Sequence, residues 1–317
     1  HTLYNYDANA LGDITGAPQN PLVNSVNTFG TKGKANNNML IATGKHQFSH
    51  GYSLEGQFTW AKSMDTNSGP YSRDAYLYNP NYSYGRSDFD INKSFKLFGE
   101  WQPVFFHGGH AWAEKAAGGW TVTGIFTIHS GYGWTPVYTA AHQIYCYTCN
   151  YGYQSLRPSF KGDVHLNTSN NAYKTGSNFP GYDPNDLSNP YYANTGADNN
   201  LFNNIGFSVP DYSAAITDNE GDATNTYIPA PGIDRNQFSG PIYRNVDMTL
   251  AKAFGLPNIK GIGENAKIEV KANFFNILNL LNIDPTQINN NIDSPQLGQA
   301  RGALGSRMID FQARFSF

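Results

Sequence analysis

The composition of the chain restricts the classes of protein to which it can belong. Of its 317 residues, 14% are charged and 15% are aromatic, and the formal net charge is −3. A nucleic-acid partner is not expected, because no block of basic residues is present. No run approaches the roughly 20 apolar residues that a membrane-spanning helix requires. A protein that crosses a membrane would therefore have to do so with strands.

Polar and apolar residues alternate in about seven segments, which are separated by stretches rich in Asn, Gly and Pro. This is the pattern of β-strands joined by turns and loops. In chain order the predicted strands are 38–48, 52–62, 87–101, 119–131, 245–254, 267–275 and 307–317. The last is the clearest, since apolar residues occupy every odd position from Ile309 to Phe317. The chain is predicted to be all-β.

The connections between the predicted strands alternate in length. Short or intermediate connections (49–51, 102–118 and 255–266) alternate along the chain with long ones (64–86, 137–242 and 280–306). A membrane barrel shows this parity, because its up-and-down strands carry short periplasmic turns and long external loops. A compact soluble domain rarely holds a loop as long as 137–242. The predicted fold is a partial antiparallel up-and-down membrane-type β-barrel of about seven strands with long extracellular loops.

Each predicted strand has one polar and one apolar face, which suits a water-filled lumen and surrounding lipid. The residues expected to face lipid are Val122, Phe126, Ile268, Val270, Phe311 and Phe315. An amphipathic strand that covers a soluble core would show the same alternation. The pattern of a single strand leaves that alternative open, and the parity of the connections favours the membrane.

Several segments, in the same order, resemble the C-terminal barrel portion of Oar-like TonB-dependent outer-membrane receptors. They include "GRSDFDINKSFKLFGEWQPVF", "GGWTVTGIFTIHSGYGWTP", "YRNVDMTLAKAF" and "FQARFSF". The resemblance covers about residues 35–137 and 233–317. It implies a ligand-gated transporter whose larger barrel holds an N-terminal plug and is opened by an energised inner-membrane partner. We recognise no plug and no partner-binding box in this sequence, so no residue is assigned to gating.

The terminal segment also looks like the signal by which the barrel-assembly machinery recognises outer-membrane proteins. The resemblance assigns this signal to Ile309, Phe311, Phe315 and Phe317. The predicted organisation has four parts: a loop or linker (1–34), barrel strands 1–4 (35–136), a long extracellular loop region (137–242), and barrel strands 5–7 with the assembly signal (243–317).

Two cysteines, Cys146 and Cys149, lie in the long predicted loop. We expect a local disulfide between them, because thiols at a cell surface meet an oxidising environment. Inert thiols are an alternative. A metal site that also uses His142 is a weaker one, because no second ligand pair is near.

No arrangement typical of catalysis is found in the sequence, such as a G-x-S-x-G elbow or a phosphate loop. We therefore expect no enzymatic activity, no catalytic or metal-binding residue and no cofactor. Ligand-binding residues cannot be named from the sequence.

Two functions are consistent with these sequence features, both at the bacterial outer membrane or cell surface. The first is the C-terminal part of a TonB-dependent-like receptor whose extracellular loops capture a ligand. The second is a structural surface protein that self-assembles, for example into a filament, without transport. The expected partners are outer-membrane lipid, the barrel-assembly machinery, and strands from a missing N-terminal portion or from other copies.

Overall fold

The computed structural model describes residues 33–69, 83–104, 113, 118–137, 157–179, 207–208, 232–256, 266–292, 294 and 296–316. Its strands are β1 Ala35–Ser49, β2 Tyr52–Asp65, β3 Gly85–Arg86, β4 Lys93–Trp101, β5 Trp120–His129, β6 Gly133–Trp134, β7 Ser159–Phe160, β8 Phe207–Ser208, β9 Phe238–Ser239, β10 Tyr243–Gly255, β11 Lys267–Phe275 and β12 Met308–Ser316. Helical elements also lie between strands, among them the α-helix Asn170–Thr175 and the 3-10 helix Pro285–Gln287.

Seven long strands form one antiparallel sheet in the order β1-β2-β4-β5-β10-β11-β12, and the short β3 pairs with β2. The other short strands form two small ladders, β6 with β9 and β7 with β8. Each long strand therefore pairs with the next long strand of the chain, as in an up-and-down barrel. The predicted all-β, antiparallel architecture with seven main strands is confirmed.

The long connections all leave the sheet at one end. They are 66–92, 130–242 and 276–307, whereas the opposite end carries 50–51, 102–119 and 256–266. The first end is called the cap end and the second the hairpin end. The predicted alternation of connection lengths is therefore confirmed.

The shortest connection, His50–Gly51, shows why such a turn forms here. Both residues have positive φ, 50° and 82°. This backbone shape matches the twist of the two strands that a two-residue hairpin joins. Gly51 is required for a second reason, because a Cβ atom would lie 2.8 Å from the carbonyl oxygen of Gln102.

The register of the strands gives the sheet two chemically different faces. Directly paired residues point to the same side, and successive residues of a strand alternate between sides. One row across four strands is apolar and consists of Val122, Leu250, Ala272 and Phe311. The neighbouring row is polar and consists of Thr123, Thr249, Asn273 and Asp310. These sides are called the apolar face and the polar face.

Hydrogen bonds join side chains along the polar face. The hydroxyl of Thr249 donates to Oδ1 of Asn273 at 2.9 Å, and Nδ2 of Asn273 donates to Oδ2 of Asp310 at 3.3 Å. On the same face the ammonium of Lys271 lies 3.2 Å from a carboxylate oxygen of Glu269. Such partners let polar groups line a wall without isolated charges.

Lys252 lies on the apolar face near the hairpin end and is only 4% exposed. Its ammonium nitrogen is 5.2 Å from the ring centroid of Trp120 and 5.0 Å from that of Phe254. The negative ring faces attract the cation and offset part of its desolvation. The apolar face therefore holds this charge close to aromatic rings at a strand end.

The strand predicted over 87–101 begins only at Lys93. Asp90 ends the extended run before that point, because Oδ2 accepts from Nε of Arg86 and Oδ1 accepts from the backbone amide of Ser63 at 2.7 Å. These bonds hold the chain in a turn, and Phe89 is left 70% exposed. The alternation of polar and apolar residues around Phe89 therefore belongs to a loop and not to a strand.

Both outer strands have one paired edge among the described residues. β1 pairs with β2, and β12 pairs with β11. In β1 the consecutive residues Met39, Leu40 and Ile41 are each about half exposed. Free edges with apolar side chains are templates for further strands. The described strands therefore form part of a barrel wall and leave it open.

Candidate functional site

Parts of the connections 130–242 and 276–307 pack together at the cap end into a compact unit, the cap. Its core consists of Trp134, Leu166, Tyr173, Phe179, Phe207, Ile233, Phe238, Ile283, Ile292 and Leu297. The rings meet tilted or edge-on, and the centroid of Phe238 lies 5.5 Å from that of Trp134 and 6.0 Å from that of Phe207. These are favourable ring geometries. The segment predicted as a long extracellular loop thus contains a packed hydrophobic core.

Tyr173 is fully buried in this core, and its hydroxyl is satisfied on both sides. It accepts from Nε1 of Trp134 at 3.0 Å and donates to the backbone carbonyl of Ser239 at 2.6 Å. Burial raises the pKa of Tyr173 to about 12. The hydroxyl therefore stays neutral and links the helix Asn170–Thr175 to β9.

Two asparagines attach the cap to the start of β10. Oδ1 of Asn282 accepts from the amide of Arg244 at 2.8 Å, and Nδ2 donates to its carbonyl at 2.7 Å. Asn170 donates to the carbonyl of Ile242 at 2.7 Å and accepts from the amide of Ile283 at 2.8 Å. Each amide side chain makes the hydrogen bonds that a neighbouring strand would otherwise make, because buried backbone groups need a partner. The cap and the sheet are thus continuous in hydrogen bonding.

A second junction centres on Arg235 of the connection 130–242 and Asp65, the last residue of β2. Nη2 of Arg235 is 2.6 Å from Oδ1 of Asp65, 2.7 Å from the hydroxyl of Ser68 and 3.3 Å from Oδ1 of Asp88. Nη1 donates to the carbonyls of Asp65 and Ser83, both at 3.1 Å. The side chains of Arg235 and Asp65 are 15% and 11% exposed. These residues are called the Arg235 cluster.

Asn236 extends the cluster towards β6. Its amide donates to the hydroxyl of Thr135 at 2.7 Å, and its Nδ2 donates to Oδ1 of Asp88 at 2.6 Å and to the carbonyl of Arg86 at 2.8 Å. Its φ is 55°, in the left-handed region that asparagine tolerates better than most residues. The cluster therefore fixes the connections 66–92 and 130–242 and the end of β2 against one another at the cap end.

A cavity of about 290 Å³ opens beside the Arg235 cluster. It is lined by Thr66, Asn67, Ser68, Ser83, Asp88, Thr135, Val137, Arg157, Arg235 and Asn236. The lining carries two guanidinium groups, those of Arg157 and Arg235, and one carboxylate, that of Asp88. The guanidinium of Arg235 is already bonded to carboxylate and carbonyl oxygens. The cavity is therefore polar, and the charged groups of its lining carry a net positive charge.

Within the described ranges, no helix is long and apolar enough to cross a membrane. The same part of the chain brings together no group of three His, Cys, Asp or Glu side chains that could hold a metal ion.

A family model for the outer membrane beta barrel domain matches residues 1–310. The chain belongs to this family. It is accordingly a protein of the bacterial outer membrane, as the parity of the connections predicted. No curated protein and no solved structure matches the chain significantly.

The six residues expected to face lipid lie on one side of this outer membrane beta barrel domain. Val122 and Phe126 of β5, Ile268 and Val270 of β11, and Phe311 and Phe315 of β12 are brought into phase on the apolar face. Phe311 is the most exposed of them, at 74%. The assignment of lipid to that face stays a prediction.

The residues of the predicted assembly signal are placed in part. Ile309, Phe311 and Phe315 share the apolar face of β12, whose other edge carries no partner among the described residues, and Phe317 lies outside the described ranges. Their role in assembly stays a prediction.

Sequence reasoning missed the Arg235 cluster and the cap. Arg235 and Asp65 stand 170 positions apart, and no local period connects them. The one local signal is the spacing of Arg86 and Asp90, which form an ion pair four residues apart.

Replacing Tyr173 by phenylalanine is expected to lower the free energy of unfolding of the cap by about 1–3 kcal/mol at neutral pH. The change leaves Nε1 of Trp134 and the carbonyl of Ser239 buried without their partner. Because the pKa is raised from about 10 to about 12, the wild-type cap should lose stability between those pH values, where only the unfolded state releases the proton. Tyr173→Phe should lack this loss. Denaturation of both proteins at pH 7 to 12 measures the difference, and parallel pH curves would contradict it.

Cys146 and Cys149 lie outside the described residues. We expect them to be disulfide-linked in the exported protein. Thiol titration of denatured, unreduced protein should then detect no free thiol, and full reactivity of both cysteines would refute the pairing.

Proposed function

We propose that this outer membrane beta barrel domain is the C-terminal part of a TonB-dependent-like receptor that captures a ligand at its extracellular side and transports it. The observation that carries the proposal is the division of the sheet into a bonded polar face and an apolar face. A wall of this kind separates water from lipid. In this proposal the polar face lines the lumen and the cap end lies outside the cell.

The cap and its cavity support ligand capture. Long loops of barrel proteins are tolerated without order, but here the aromatic core, the two asparagine junctions and the Arg235 cluster fix the cap on the sheet. A rigid platform loses less conformational freedom when it binds a ligand. The proposal assigns no enzymatic activity and no cofactor to the chain.

The edges of the sheet indicate which partners are required. Each unpaired backbone group in hydrocarbon costs several kcal/mol, and β1 and β12 each present one edge without a partner among the described residues. The proposed partners for these edges are strands of an N-terminal portion of the same protein. Outer-membrane lipid and the barrel-assembly machinery complete the set.

The test is an uptake experiment in the native bacterium. Depletion of compounds from a defined medium is compared among the wild type, a strain that lacks the gene, and a strain that lacks the energised inner-membrane partner. At least one compound should stay in the medium of both mutants. Normal depletion of every compound by the gene-deletion strain would refute transport.

A second candidate function is a self-assembling surface protein, which the two open edges of the sheet favour. In that case the edges of β1 and β12 would pair with other copies. Electron microscopy of the same strains separates the two functions, because loss of surface filaments together with normal uptake would support assembly.

A further inference from the structure

A stacked pair of rings lies on the polar face at the cap end. His129 of β5 and Tyr243 of β10 are directly paired in the register, and their ring centroids are 4.8 Å apart with an interplanar angle of 16°. Tyr132 meets His129 edge-on at 5.7 Å. All three rings are partly exposed. The polar face therefore presents an aromatic platform at the end where the cap stands.

The interfacial aromatic belt of barrels does not account for this platform. Belt residues face lipid at the strand ends, and a second His–Tyr stack fits that description. His46 and Tyr52 lie on the apolar face at the hairpin end, with ring centroids 4.6 Å apart and an interplanar angle of 7°. His129 and Tyr243 have the same chemistry on the opposite face, so membrane anchoring cannot be their role.

The groups around the platform form hydrogen bonds, and the charged ones are Lys96 of β4 and, next to Asn245 on the polar face of β10, Asp247. Ser94 is the partner of His129 in β4, and the next positions on the polar face are Thr127, Lys96 and Asn245. Nδ1 of His129 donates to the carbonyl of Ser130 at 2.8 Å, which leaves Nε2 as the acceptor of the neutral ring. The site thus combines ring faces with hydroxyl, amide and imidazole groups.

A second apolar group, a pair of exposed side chains, lies further from the cap on the same face. Phe98 and Ile125 are directly paired, and they are 39% and 43% exposed although their neighbours on this face are polar. Ile125 lies four positions before His129 along β5, which corresponds to about 13 Å. A ligand that contacts both the aromatic platform and this apolar pair must be extended and must alternate apolar surfaces with polar groups.

We propose that the polar face binds a short oligosaccharide, which stacks on His129 and Tyr243 and continues towards Phe98 and Ile125. Sugar rings offer C–H faces, which are attracted to the negative faces of aromatic rings. Their hydroxyl groups both donate and accept, as Thr127, Asn245 and Nε2 of His129 require. This inference rests on the proposed function and specifies the class of its substrate.

The test uses the full chain in detergent micelles and calorimetry with maltotriose, cellotriose and chitotriose as probes. At least one trisaccharide should bind. Tyr243→Ala should weaken that binding by about tenfold, which corresponds to the loss of a good ring contact, and Tyr243→Phe should retain most of it. Phe98→Asn, remote from the cap, provides a second variant and should also weaken binding.

Tyr52→Ala is the matched control, because it removes the equivalent ring from the apolar face and should leave the affinity unchanged. The inference is overturned if no trisaccharide binds, if Tyr52→Ala weakens binding as much as Tyr243→Ala, or if the tripeptide trialanine binds in a Tyr243-dependent manner. Continued energy-dependent uptake of a non-carbohydrate compound would then show that only the inference fails and that the proposed transport survives.

Discussion

Replacing Arg235 by alanine should lower the free energy of unfolding of the cap by about 3–5 kcal/mol, the range found when one partner of a buried ion pair is removed. Asp65 would keep its charge in a site where its side chain is only 11% exposed. The carbonyls of Asp65 and Ser83 would lose their donor at the same time. The expected result is a cap that opens while the sheet stays folded.

Hydrogen exchange of the protein in detergent can measure this change. Amides of the cap, such as that of Tyr173, should exchange faster in Arg235→Ala, and amides in the middle of β5 should keep the wild-type rate. Asp163→Ala is the matched control, because its pair with His165 has a similar distance, 2.8 Å, but both side chains are largely exposed. That variant should leave cap exchange unchanged. Equal effects of the two substitutions would contradict a specific role of burial.

Placing an arginine at Val270 is expected to destabilise the protein in a bilayer if the apolar face meets lipid, by up to the midplane value of about 2–4 kcal/mol. Val270 is 41% exposed and lies between Lys252 and Ala313 in the register. A guanidinium at this site would have to leave water. The same substitution in detergent should cost less, because micelles deform around a charge.

Gln312→Arg is the control for Val270→Arg. Gln312 is paired with Lys271 on the polar face, and its side chain already donates to Oδ2 of Asp310 at 2.9 Å. An arginine could keep that donor in water, so a change within about 0.5 kcal/mol is expected. Denaturant unfolding in lipid vesicles compares the two variants. A similar small loss of stability in both variants would contradict contact between the apolar face and lipid.

The alternation of polar and apolar residues predicted the strands, because successive residues of a strand point to opposite faces and each face meets a different environment. Val122 and Thr123, or Val270 and Lys271, differ in polarity because they point to opposite faces, and each strand carries that information alone. The order of the sheet followed as well, since consecutive strands of an up-and-down barrel are neighbours.

The cap could not be predicted in this way, because its contacts join residues with no fixed spacing. Trp134 and Tyr173 are 39 positions apart, and Asn178 and Gly298 are 120 apart. Aromatic residues scattered among Asn and Gly look like a loop until the partner segments are known. The early start predicted for β4 has the same origin, because Asp90 is removed from the extended run by bonds to Arg86 and to Ser63 of another strand.

The composition of the cap core also constrains the order in which the molecule folds. Tyr173 and Phe207 precede the hairpin of β10 and β11, whereas Ile292 and Leu297 follow it, so the core closes only when that hairpin has brought its two flanks together. Contacts between such distant segments form late, because the entropy of loop closure must be overcome first. We therefore expect the segment that carries Trp134, Tyr173 and Phe207 to reach the cap end as an extended, unpacked chain and to pack there only after β10 and β11 have paired.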